Sequence, residues 1–192
     1  MKKIISVWSA KGGAGKTTIA INLAGCIAKK GHSVLLVDDD DPQYSAAWVA
    51  EGEKLPFTVS KGWPSSKPKE DIVVVDYSPR VDDLPVGDVV IVPIRPAALD
   101  LKSVRPYLQN IANAGKQIIE IVSQLDSRLK DPSTIAKDRQ KEGALVVGTR
   151  SVYQRAIGEQ VTIFDPSFDN VSGAREARKE ILAIYKEAMK HE

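Results

Sequence analysis

The sequence predicts an α/β fold: a mostly parallel, twisted sheet flanked by helices. Three observations predict it. Short apolar runs rich in Val, Ile and Leu recur at 4–8, 33–37, 72–75, 89–93 and 117–123, the composition of strands buried on both faces. Helical periodicity alternates with them, beginning at 16–30, where Ile19, Leu23 and Ile27 share a stripe flanked by Ala20, Ala24 and Ala28. The polar residues with chemical potential fall just after strands, at 9–18, 38–43 and Asp76, where open α/β sheets bind ligands.

The first strand runs into Lys11-Gly12-Gly13-Ala14-Gly15-Lys16-Thr17-Thr18 and then a helix. Strand, glycine-rich loop and helix together make a phosphate cradle. Gly12, Gly13 and Gly15 let the backbone bring its N–H groups close to phosphate oxygens. The helix start adds unpaired N–H groups and the positive end of its dipole. Lys16 is placed to reach β- and γ-phosphates, and the Thr17 hydroxyl is a Mg²⁺ ligand. Residues 11–18 are therefore the candidate nucleotide-binding set, in a P-loop NTPase architecture.

Ala10 stands where the general motif has its first glycine, and Lys11 precedes the glycine pair. The loop resembles the deviant Walker A loop of the ParA/MinD family of ATPases, closest to the small ParA-type partition proteins. The resemblance implies ATP and Mg²⁺ as cofactors and a nucleotide-sandwich homodimer. It also implies a catalytic role for Lys11, reaching across the dimer to the partner's phosphates.

After the second strand comes Asp38-Asp39-Asp40-Asp41-Pro42-Gln43. Four adjacent acids repel one another, which a nearby cation relieves. The stretch resembles the family's D-x-D-P-Q segment, whose second aspartate orients the attacking water, but it carries one extra residue. Counting back from Pro42 makes the pair Asp39 and Asp41; counting forward from the strand makes it Asp38 and Asp40. Asp41 is preferred for the water, with Asp40 as the alternative, and Asp39 joins Thr17 as a metal candidate. Ile72 to Val75 ends at Asp76, the form of a Walker B segment, so Asp76 completes the metal set. Tyr77 follows where the family has a small residue and then prolines, and the segment to Gly87 is short.

Residues 45–49 suit a helix with Trp48 buried, and 57–59 a short strand. The Pro-, Gly- and Ser-rich stretch 61–69 cannot hold a helix. It stands where relatives have one, and Trp63 is expected to be buried. Residues 91–101 resemble the family's V-P-x-x-P-x-x-L-D stretch, which contributes to the dimer face. A helix over 101–114 follows, then a strand over 117–123 ending in Gln124, an adenine contact by resemblance or a simple strand cap. Helices over 132–142, 151–157 and 174–189 are expected, with a short strand at 145–147. Residues 161–165 resemble a further family segment that precedes a loop near the base.

In the 192 residues, 27 Lys and Arg face 25 Asp and Glu, for a net charge of +2. Charge alone names no partner. The split is uneven: residues 1–101 carry 12 basic and 13 acidic side chains, the rest 15 and 12. No apolar run approaches the roughly 20 residues of a membrane span. The single cysteine, Cys26, excludes an internal disulfide and a Cys-rich metal site. These features suit one ATPase domain over 1–192, in the cytoplasm, with no signal peptide and no helix-turn-helix domain ahead of the loop. The resemblance implies ATP hydrolysis and, as the leading role, DNA partition: nonspecific DNA binding by the ATP dimer and release by a centromere-bound partner protein. Arg128, Lys130, Lys137, Arg139, Lys141, Arg150 and Arg155 are the phosphate-contact candidates. The competing roles are a MinD-like membrane-positioning ATPase, disfavoured because the last helix suits packing on the sheet, and a nucleotide-binding regulator with little hydrolysis.

Overall fold

A computed structural model describes residues 3–79, 83–126 and 128–190. Seven strands form one sheet in which every pairing is parallel: β1 (Lys3–Val7), β2 (Val34–Asp39), β3 (Thr58–Lys61), β4 (Ile72–Tyr77), β5 (Val89–Ile94), β6 (Gln117–Leu125) and β7 (Leu145–Gly148). The order is β3-β2-β4-β1-β5-β6-β7. β1 lies between the two directions of growth, so the loop leaving its carboxyl end opens at the topological switch point. β4 and β5 are buried at every residue, which is why both read as unbroken apolar runs.

Successive side chains of a strand point to opposite faces, and two apolar clusters result. On one face Ile5, Val7, Leu36, Val74 and Ile91 pack with α1 (Lys16–Lys29), α5 (Ser151–Gly158) and α6 (Ala174–Ala188). On the other, Val37, Val75, Val90 and Val92 pack with Trp8 and with Val104 and Ile111 of α3 (Ala98–Asn113). α4 (Lys130–Lys141) covers Val122 through Ala136. α1 is buried along most of its length because its small residues permit close approach. Gly25 shows how close: a Cβ there would lie 2.7 Å from Thr162 Cγ2. Asn22, wholly buried, ties the same helix to residues 161–165 by accepting from the Ile163 N–H at 2.9 Å. Cys26 is a buried packing residue, and burial pushes its thiol up to about 11.

The expected elements are present, with shifts. α3 begins at Ala98 rather than 101 and carries Pro106 in its interior. Residues 161–165 form bends and a turn that lead into a 3₁₀ turn at Pro166–Phe168. Two burial expectations are corrected. Trp48, on the short helix α2 (Ser45–Ala50), is 48% exposed because Ala46, Ala47 and Val49 take the buried face. Trp63 is 41% exposed, since the loop that carries it follows an edge strand. Tyr77, by contrast, is buried, and its hydroxyl accepts from the Val86 N–H at 3.0 Å. Ser6 Oγ donates to the Val86 carbonyl at 2.6 Å and Lys116 Nζ to the Gly87 carbonyl at 2.6 Å. The short loop after β4 is thus pinned where it returns to the sheet. Arg80, inside that departure from the family pattern, lies outside the described residues.

Candidate nucleotide site

The glycine loop leaves β1 and enters α1 through two left-handed residues, Gly13 at φ +71° and Gly15 at φ +85°. Gly15 is the residue before the helix, no side chain caps it, and the first turn holds no acid. The N–H groups of that turn have no partner within the helix, so the end is left open for an anion. Gln124, itself at φ +54°, donates its side-chain amide to the Gly13 carbonyl at 2.7 Å. It braces the loop.

Lys16 is buried at the centre. Burial lowers its pKa, opposed by the charges of Asp76 and Asp40. Asp76 is wholly buried, and neither carboxylate oxygen has a hydrogen bond of full geometry. Burial pushes its pKa up to about 7, with the Thr17 hydroxyl and Lys16 pulling the other way and Asp38 and Asp40 adding to the rise. A buried carboxylate with orphaned oxygens beside a threonine hydroxyl offers oxygen donors of the kind a hard divalent cation takes. Thr17 and Asp76 therefore fit Mg²⁺.

Strand alternation sorts the four acids. Asp38 is the register partner of Asp76 and is wholly buried. Its carboxylate accepts from the Ala47 N–H at 2.9 Å and the Asp40 N–H at 3.3 Å, so it orders the turn. Asp40 is buried, and its pKa is raised by burial against the pull of Lys16. Asp39 pairs in register with Tyr77 and is half-buried. Asp41 is exposed, beside the Tyr44 hydroxyl. The structure thus brings Lys16, Thr17, Asp40 and Asp76 together, with Asp38 behind them, and directs Asp41 to solvent.

Lys11 sits apart. Its Nζ donates to Asp100 Oδ1 at 2.7 Å, while Arg95 Nε donates to Asp100 Oδ2 at 2.7 Å. Burial raises the Asp100 pKa, but hydrogen bonds from Lys11 and then Arg95 outweigh it and hold the carboxyl below its ordinary value. Asp100 was legible only as part of the L-D stretch; nothing in the sequence marked it as the partner of Lys11.

On the far side of the loop a cleft of about 210 Å³ runs from Gly15, Thr18 and Ile19 to Ser123, Gln124, Thr149, Arg150, Tyr153 and Gln154. The Ser123 hydroxyl is buried without a partner. Glu180 fixes one wall: it accepts from Arg150 Nη2 at 2.7 Å and from the Tyr153 hydroxyl at 2.9 Å. Of these residues, sequence reasoning assigned Gly15, Thr18 and Gln124 to the nucleotide. The missed signal was position, since Thr149 and Arg150 directly follow β7 at the same sheet edge.

The glycine loop, the buried lysine and the acids converge at the carboxyl ends of β1, β2 and β4, and a family model covers them. The CobQ/CobB/MinD/ParA nucleotide binding domain matches residues 5–162. The chain belongs to this family. Within the CobQ/CobB/MinD/ParA family it is similar to two maintenance of carboxysome distribution proteins A. One, from Gloeobacter kilaueensis, is 38% identical over 117 residues, 52% of each chain. The other, from Halothiobacillus neapolitanus, is 28% identical over 186 residues, 83% of this chain and 86% of the relative. The alignment thus spans about half the length of the first relative. Among solved family structures, a putative plasmid partition protein from Borrelia burgdorferi bound to AMPPNP superposes with a TM-score of 0.74 at 18% identity, covering 96% of this chain and 98% of that one. MinD from Pyrococcus horikoshii complexed with Mg-ADP gives 0.70 at 18% identity over 99% and 97%. These structural likenesses establish the fold. No described helix is long and apolar enough to cross a membrane.

Proposed function

We propose that residues 1–192 act as one ParA-type ATPase domain, in the cytoplasm, that binds ATP with Mg²⁺, dimerises over the nucleotide and positions a cargo on DNA. The observation that carries the reading is the convergence of Lys16, Thr17, Asp40 and Asp76 on the open amino end of α1. The amino end of α1 and Lys16 bind the phosphates. Thr17 and Asp76 would hold Mg²⁺, which would neutralise charge on the phosphates. Asp40 is the water-orienting carboxylate, because it is on the lysine side of the turn and Asp41 is not. The base lies in the cleft beside Gln124, whose amide also braces the loop.

Lys11 completes the site from a second subunit. To do so it exchanges Asp100 for a phosphate of the partner. Leu99, 75% exposed beside Asp100, lies on the face that this exchange would cover. Similarity to a carboxysome distribution protein supports the distribution of a cargo as the role, and the proposal adds a partner protein that triggers release. Docking on a membrane through α6 is not favoured, since Ile181 and Ile184 are wholly buried against the sheet.

Phosphate release from Mg-ATP, measured with and without duplex DNA, tests the reading. Asp40→Ala is expected to lower turnover by about a hundred-fold or more with nucleotide binding retained, and Asp41→Ala to stay within about two-fold of wild type. Equal losses in the two variants would remove the assignment of Asp40. Absence of release in every condition would leave a nucleotide-binding regulator, a reading that the pinned Tyr77 loop accommodates.

A further inference from the structure

The basic side chains that the sequence offered for DNA are largely spoken for. Arg128 pairs with Asp126 at 2.7 Å, and Arg139 is held by Glu120 and Glu142. Lys141 is on Asp138, Arg150 on Glu180 and Arg155 on Glu159. A phosphate contact by one of these competes with a carboxylate already in place.

A different stretch has the opposite character. Residues 61–69, Lys-Gly-Trp-Pro-Ser-Ser-Lys-Pro-Lys, carry three lysines and no acid. Lys61, Lys67 and Lys69 are exposed, and among the described residues no carboxylate pairs with any of them. Trp63 stands exposed between them, one of only three tryptophans in the chain. Of the acids that follow, Asp71 is turned to the Ser33 N–H and hydroxyl, leaving Glu70. The stretch is rooted. Gly62 N–H donates to the Asp38 carbonyl at 2.8 Å and Ser60 Oγ to the Gly62 carbonyl at 2.9 Å, while Lys61 lies 5.7 Å from the Tyr44 ring centre. Pro64 and Pro68 limit its freedom beyond that root.

We propose that residues 61–69 are a nucleic-acid contact, with Lys61, Lys67 and Lys69 on backbone phosphates and the Trp63 indole against a sugar or unpaired base. Unpaired cations around one exposed aromatic ring fit a polyanion with flat rings. A lipid surface fits less well, because Trp63 is the only large apolar side chain of the nine and offers little area to bury. The stretch is tied at one end to the carboxyl end of β2 through the Asp38 carbonyl and at the other to Ser33 through Asp71, so it crosses the outer edge of the sheet. The inference rests on the DNA reading above and assigns it a surface.

The test is a fluorescence-anisotropy titration of labelled 30-base duplex and single-stranded DNA, with Mg-ATP, over a range of salt. Wild type is compared with Lys61→Ala/Lys67→Ala/Lys69→Ala, with Trp63→Ala and with the control Lys179→Ala/Lys186→Ala, two exposed lysines of α6. The triple variant is expected to bind at least about tenfold more weakly and to lower the slope of log affinity against log salt by about two to three. Trp63→Ala is expected to weaken single-strand binding more than duplex binding, and the control to leave both unchanged. Retained ATP binding in the triple variant shows that it is folded. If wild type binds DNA and the triple variant binds as tightly with the same slope, the loop assignment fails and the DNA reading stands. If wild type binds neither DNA form, both fail. If the three lysines matter for anionic phosphatidylserine vesicles but not for DNA, the nucleic-acid assignment is overturned.

Discussion

Asp76→Asn should make the nucleotide-free protein more stable at pH 8 and remove the Mg²⁺ dependence of nucleotide binding. The carboxyl is wholly buried with orphaned oxygens, and burial pushes its pKa up to about 7. In the unfolded chain an aspartate titrates near 3.9. Between those values the folded state binds the proton and the unfolded state does not, so stability falls as pH rises through the window. About three units correspond to an upper bound of roughly 4 kcal/mol, and local relaxation makes about 2 to 4 reasonable. Asn carries no charge, so the gain is expected at pH 8 and should vanish near pH 4. Urea unfolding at the two pH values measures it. Mg²⁺ should stabilise wild type at pH 8 in the presence of nucleotide and leave the variant unmoved. A variant less stable than wild type at pH 8 would mean that Asp76 is satisfied by the fold alone.

Lys11 and Asp100 should shift dimerisation in opposite directions. In the single chain the Lys11 side chain is 40% exposed and that of Asp100 11% exposed, at 2.7 Å. A half-exposed ion pair of this kind contributes about 0.5–1 kcal/mol. A symmetric dimer breaks two of them, so each association forfeits about 1–2 kcal/mol, a factor of roughly 5 to 30 in the dimer dissociation constant. Asp100→Asn is expected to return most of that factor and to dimerise at lower protein concentration with Mg-ATP. Lys11→Ala removes the ion pair as well, but it also removes the cation offered to the partner's phosphates, whose loss dominates in a closed, desolvated site. It should bind nucleotide as a monomer. Weaker dimerisation by Asp100→Asn would place Asp100 in the interface itself.

The sheet was readable because each strand is an unbroken apolar run, and the phosphate loop because its chemistry is local in sequence. The acid turn was readable only as a set. Four consecutive aspartates carry no mark of which one faces the lysine; strand alternation and the bonds of Asp38 to Ala47 and Asp40 decide it. Trp48 and Trp63 were placed inside on hydrophobicity alone, although a tryptophan on a six-residue helix or after an edge strand has too little neighbouring structure to cover it. Contacts joining distant segments, such as Lys11 with Asp100 or Tyr153 with Glu180, leave no periodic signal. The same is true of carboxylates that neutralise Arg139 and Arg150, so counting basic residues in the second half overstated its free charge.

The most direct measurement is the molar mass in solution, by light scattering, of wild type and Lys11→Ala with Mg-ATP and with Mg-ADP. A chain that completes its site across a dimer gives twice the monomer mass for wild type with Mg-ATP alone, and the monomer mass for Lys11→Ala with either nucleotide. A wild-type protein that binds Mg-ATP and remains monomeric, or a Lys11→Ala variant that dimerises as well as wild type, would contradict it.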